Sequence, residues 1–151
     1  MDKDGIHCLN KLIETCKDGE YGFRDAAERA DSPQLQATFR RHADECRQGA
    51  AELQTLVAQL GGSAEDSGTV AGAAHRGWMA MKGAVAGSTD LAILEECERG
   101  EDKALSDYRE ALADDKLPAV ARATVQRQYD GVKRNHADVR SLRDAARAAT
   151  A

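Results

Sequence analysis

The sequence predicts an all-α protein: a four-helix bundle made of two antiparallel hairpins joined by a long crossover that carries a short helix of its own. Three observations predict it. Proline is rare (2) and aromatics make up only 4% of 151 residues, while Ala, Glu, Arg, Asp and Leu dominate, a composition that favours helices over sheets. Apolar residues recur in alternating steps of three and four over four long stretches, the spacing of a helix with one buried face. Two of the three connections between those stretches are short, and the third is long.

The first helix is expected from about Asp4 to Ala30. The phrase Asp31-Ser32-Pro33 then restarts the chain, with Ser32 as N-cap and Pro33 at the first helical position. The second helix continues to Leu60 and stops at Gly61-Gly62. A polar Gly/Ser/Asp stretch follows, then a shorter helix in "TVAGAAHRGWMAMKGAV". Ser88 or Thr89 caps the third long helix, which reaches about Ala113. Pro118, after "DDKL", opens the fourth, which runs to the C-terminal alanines. The short links make helices 1–2 and 3–4 antiparallel hairpins. Segment 61–88 has to return the chain along a helix of about 28 residues, roughly 42 Å. Two hairpins joined by such a crossover form the ferritin-like arrangement, whereas an up-and-down bundle needs only a short link. The whole chain, 1–151, reads as a single domain of this kind.

Each predicted seam is apolar at its ends and polar at its middle. The third helix gives Leu91, Leu94, Glu98, Glu101, Leu105, Tyr108 and Leu112; the first carries Glu20 and the second His42 at the corresponding place. The fourth carries Gln128 and Asn135, with His136 adjacent, and Glu45 flanks the second seam. Hairpin geometry places Glu98 and Glu101 across from about residues 133 and 130, and Glu20 beside His42. An unpaired charge at such a position costs several kcal/mol, so the layer requires an explanation. One is a metal site: Glu20, His42, Glu45, Glu98, Glu101 and His136 offer oxygen and imidazole ligands suited to iron, manganese or zinc. Ferritin-like di-metal sites take one Glu from each of two helices and a Glu-x-x-His pair from each of the other two. Here the second helix has the pair reversed, and Lys133 stands three residues before His136, so the set is incomplete. The other explanation is a hydrogen-bonded or ion-paired network that fixes helix register.

The remaining features bound the function. A net charge of −5 gives no basic footprint for nucleic acid, and no apolar run approaches a membrane span. The start of the chain has no secretory-signal pattern, so a cytoplasmic setting is expected. None of the four cysteines forms a Cys-x-x-Cys pair, and each sits among helical apolar neighbours, as buried free thiols do. Trp78, Met79 and Met81 are expected to fasten the crossover helix to the bundle. Gly72, Gly77 and Gly83 let that helix approach a neighbour closely, as a homodimer contact or a protein-partner surface would need. No phosphate loop, dinucleotide fingerprint or Ser-His-Asp order is present.

The stretches "LIETCKDGEYGFRDAAE", "LGGSAEDSGTVAGAAHRGWMAMK", "ILEECERGEDKALSDYREAL" and "QYDGVKRNHADVRSLRD" resemble a bacterial four-helix-bundle family of unknown function that is ferritin-like and related to rubrerythrin. The resemblance covers about residues 4–146. It implies a ferritin-like fold, a cytoplasmic setting and a stress-related role, without an established reaction. The expectation is thus a non-enzymatic, stress-associated binding or structural protein with a central polar layer. The alternatives are a divalent-metal binder with a degenerate di-metal site, and a partner-binding module that uses the crossover helix.

Overall fold

The computed structural model describes residues 2–63 and 89–150, and these form four long helices: α1 Lys3–Arg29, α2 Pro33–Gln59, α3 Asp90–Ala113 and α4 Ala119–Thr150. The expected crossover helix, with Trp78, Met79, Met81 and the three glycines around them, falls outside the described residues. Each boundary has a local cause. The Asp2 carboxylate accepts from Gly5 N at 2.9 Å and caps α1. Ser32 Oγ accepts from Leu35 N at 3.3 Å, one residue before Pro33 opens α2. Thr89 Oγ1 accepts from Ala92 N at 3.1 Å and starts α3. Gly61 ends α2 in the left-handed region, at φ +82°, which a side chain would resist.

The helices pack α1 on α2, α3 on α4, α1 on α3 and α2 on α4. Cross-helix bonds give the directions. Asp90, at the start of α3, accepts from the backbone N–H groups of Asp31 and Ser32, just past the end of α1. Thr15 of α1 donates to Asp107, toward the end of α3. Those two helices are therefore antiparallel. The Glu45–Asn135 and Glu52–Gln128 bonds make α2 and α4 antiparallel as well. With α1 antiparallel to both α2 and α3, those two run parallel, the relation that a long crossover produces.

The core is divided. One apolar cluster, including Leu9, Leu12, Ile13, Leu53, Val57 and Val125, fills the end near the 3–4 turn, where Leu117 folds inward. The other, including Phe23, Phe39, Ile93, Leu94 and Val139, fills the end near the 1–2 turn. The apolar ends and polar middle expected of the seams thus exist in three dimensions. Between the clusters the described residues leave a cleft.

A glycine-walled cleft between the two cores

Four glycines mark the middle of the bundle, one from each helix: Gly19, Gly49, Gly100 and Gly131, all lining a cleft of about 310 Å³. Each sits near the centre of its helix, where glycine costs roughly 0.5–1 kcal/mol relative to alanine. Two of them are occupied from across the α1–α2 interface. A Cβ on Gly19 would lie 2.7 Å from Cys46 Sγ, and one on Gly49 would lie 3.3 Å from Cys16 Sγ. Each cysteine fills the notch left by the glycine of the opposite helix. A Cβ on Gly131 would meet only the Arg134 guanidinium, at 3.6 Å, so that notch stays open.

Polar side chains furnish the walls. Cys16 Sγ lies 3.2 Å from Tyr108 Oη, which donates to Gln128 Oε1 at 2.8 Å. Gln128 in turn donates to Gly49 O at 3.2 Å and Glu52 Oε1 at 3.1 Å. The cations of the wall, Lys103, Arg127 and Arg134, stand exposed at its rim; Lys103 holds Asp107 at 2.8 Å and Arg127 is paired with Glu52. Deeper in, two carboxyls are left incomplete. Glu101 is 4% exposed and Asp18 9%, and Glu101 Oε1 and Asp18 Oδ1 have no hydrogen-bond partner.

Burial sets the protonation of this interior. Desolvation, reinforced by the fields of Asp138, Asp102, Glu45 and Glu98, pushes Glu101 up to about 9. Desolvation pushes Asp18 up to about 7 against the nearby Lys103. Burial raises the Cys16 thiol to about 11 and holds Cys46 and Cys97 well above the usual thiol value. At neutral pH the thiols and Glu101 are therefore uncharged. A protonated thiol is a poor nucleophile, so these groups are suited to binding and to hydrogen-bond exchange rather than covalent chemistry.

The six side chains of the polar layer expected as candidate metal ligands are distributed differently. Glu101 alone combines deep burial with an orphaned oxygen on the cleft wall. Glu45 reaches the cleft from its exposed rim, where its carboxylate accepts from Asn135 at 2.8 Å. Glu20 pairs with Arg24 at 2.8 Å. Glu98 is half-buried and paired with Arg143. His136 Nε2 lies 2.7 Å from Asp102. His42 is wholly buried against Phe23, ring edge to face at 5.0 Å. Its Nε2 is 3.5 Å from Asp138, its Nδ1 has no partner, and burial lowers its pKa so that it is neutral. Lys133 turns outward, over the Tyr129 ring and toward Asp130.

A family model described as a domain of unknown function, DUF2383, matches residues 4–114. The chain belongs to this family. No curated protein matches the sequence. A solved structure of a Dps1 mutant from Mycobacterium smegmatis is similar to this DUF2383 chain with a TM-score of 0.79, over 94% of this chain and 96% of the other, at 14% identity. That likeness establishes the ferritin-like bundle fold.

Ferritin-like folds are associated with two-metal carboxylate centres, and the donors among the described residues of this DUF2383 chain do not fit one. Glu20 and Glu98 are each engaged by an arginine and His136 by Asp102. Among the described residues no group of three or more His, Cys, Asp or Glu side chains is placed to hold a metal ion. The sequence reading overlooked Asp18, Glu96 and the glycines. Glu96, 3% exposed, is the buried partner of Arg29. A signal for the glycines exists: Cys16-Lys-Asp-Gly19, Cys46-Arg-Gln-Gly49 and Cys97-Glu-Arg-Gly100 repeat one pattern on three helices, and Gln128-Tyr-Asp-Gly131 completes it on the fourth.

Proposed function

We propose that this protein is a non-enzymatic, ferritin-like binding protein whose mid-bundle cleft takes up a small organic ligand. One observation carries the reading: a cleft between two separate apolar cores, lined by a glycine from each helix and walled by two deeply buried carboxyls with orphaned oxygens. A bundle selected only for stability has no use for that combination. Alanine is the better choice at Gly131, whose notch meets only Arg134, and an unsatisfied buried polar atom costs about 1–3 kcal/mol. A bound molecule offsets both costs through contact and hydrogen bonding. The bacterial, rubrerythrin-related and stress-associated setting implied by the sequence belongs to the same proposal. So does the cytoplasm, where four free cysteines stay reduced.

The test is saturation-transfer NMR of a mixed fragment set against the parent and Gly131→Leu. The leucine enters a notch where only Arg134 is near, so it fills the cleft without clashing with backbone. Fragments that bind the parent and lose their signal with a folded Gly131→Leu support the reading. Equal signals from both proteins, or none from the parent, overturn it. A second reading, one divalent cation at Glu101, draws on the same orphaned oxygen and on the acidic field of Glu45, Glu98, Asp102 and Asp138. Saturable manganese or zinc binding abolished by Glu101→Gln supports that alternative, and its absence removes it.

A further inference from the structure

Resting on the cleft reading above, we infer that the ligand is a short aliphatic amine, with one ammonium donating to Glu101 and a second, in a diamine, reaching Asp18. The inference follows from which groups of the wall are already satisfied. Asp107 accepts from Thr15 and Lys103, Glu52 from Arg127 and Gln128, and Glu45 from Asn135. Gln128 both donates and accepts, and Tyr108 donates to it. What remains among the carboxyls of the cleft wall is acceptor capacity: Glu101 Oε1 and Asp18 Oδ1, both deeply buried and both without a partner. A ligand that completes this wall supplies donors. An ammonium offers three and no acceptor, and its charge takes the place of the proton that Glu101 holds in the empty cleft, which leaves to solvent on binding.

Position argues for two of them. The pairs Thr15–Asp107 and Cys16–Tyr108 set the register of α1 against α3. By that register Glu101 lies level with residues 21–23 and Asp18 with residues 104–106. At 1.5 Å rise per residue, the two carboxyls are separated by roughly 6 Å along the bundle axis. That is about the span between the nitrogens of a four-carbon diamine. The methylenes between them would lie along the open notch at Gly131, and at the rim Lys103 is held by Asp107 and Arg127 by Glu52, which offsets part of their charge toward the interior.

The experiment titrates the intact protein with 1,4-diaminobutane, n-butylamine, the neutral 1,4-butanediol and the anionic succinate, by calorimetry at one pH and moderate salt. The diamine is expected to bind saturably at one equivalent, at least tenfold tighter than butylamine and more tightly still than the diol, with succinate unbound. Glu101→Gln, which keeps the shape but cannot ionise beside the ammonium, should weaken the diamine at least tenfold. Asp18→Asn should bring the diamine down to butylamine's affinity while leaving butylamine unchanged. Circular dichroism confirms that each variant is folded; should Glu101→Gln fail to fold, Asp18→Asn carries the comparison. A diol or succinate that binds as well as the diamine overturns the amine assignment and leaves the cleft reading standing. So does manganese or zinc binding where the diamine does not. Failure of every probe here, together with silence in the fragment screen, overturns both.

Discussion

Replacing Glu101 by glutamine should remove a large part of the pH dependence of stability. The folded pKa of about 9 lies above the ordinary value of 4.5, so folding favours the protonated carboxyl. The contribution is fully present below about pH 4.5 and is lost as pH climbs to the folded pKa. The loss runs at about 1.4 kcal/mol per pH unit between those values. Glutamine resembles the neutral acid in shape and cannot ionise. Between pH 5 and pH 8 the parent should therefore lose about 4 kcal/mol more than Glu101→Gln. Asp18 titrates in both proteins, so its effect cancels in the difference. Urea melts at half-unit pH steps measure it, and with a slope of about 2 kcal/mol per molar the two midpoints separate by roughly 2 M across that range. A constant offset between parent and variant at every pH would mean that Glu101 ionises normally in the folded protein. Its orphaned, desolvated state would then be wrong.

Four other substitutions test the same packing. Gly131→Ala should stabilise the protein by about 0.5–1 kcal/mol through helix propensity. Gly19→Ala should destabilise it by about 1–3 kcal/mol, because the new methyl meets Cys46 Sγ at 2.7 Å; thermal melts of the pair give opposite signs if the notches are as described. Arg29→Ala strands the buried Glu96 carboxylate and should cost about 3–5 kcal/mol. The same change at Arg24, whose side chain is 51% exposed, should cost no more than about 1 kcal/mol.

The helices and their order were legible because their signals are local: Ser32 and Thr89 cap where expected, Pro33 opens α2, and Gly61 ends it. The long link supplied the topology. The polar middle was legible too, and with it Glu101. The face of α3 was not. A strict three-four count from Leu91 placed Glu98 inside, whereas the buried surface of α3 is wider and takes in Ile93, Glu96, Cys97 and Gly100. Cysteine and glycine do not read as apolar knobs, so a hydrophobic stripe built on leucines misses the side on which they pack. Level failed for a different reason. Counting evenly about the 3–4 turn put Glu101 opposite residue 130, yet Asp102 pairs with His136 and Tyr108 with Gln128. The turn is not a symmetric tip: Leu117 folds into the core and α4 begins only at Ala119. Ion pairs were hidden as well, since Arg143 reaching Glu98 depends on which way two long side chains bend.

The most direct measurement of the central claim is amide chemical-shift mapping on 15N-labelled protein, titrated in parallel with 1,4-diaminobutane and 1,4-butanediol. The account predicts saturable shifts at the amides of Gly19, Gly49, Gly100 and Gly131, one on each helix, produced by the diamine at the lower concentration and absent in Gly131→Leu. Shifts confined to the exposed acidic residues of the helix surfaces, with the four glycine amides unmoved by either probe, would contradict it.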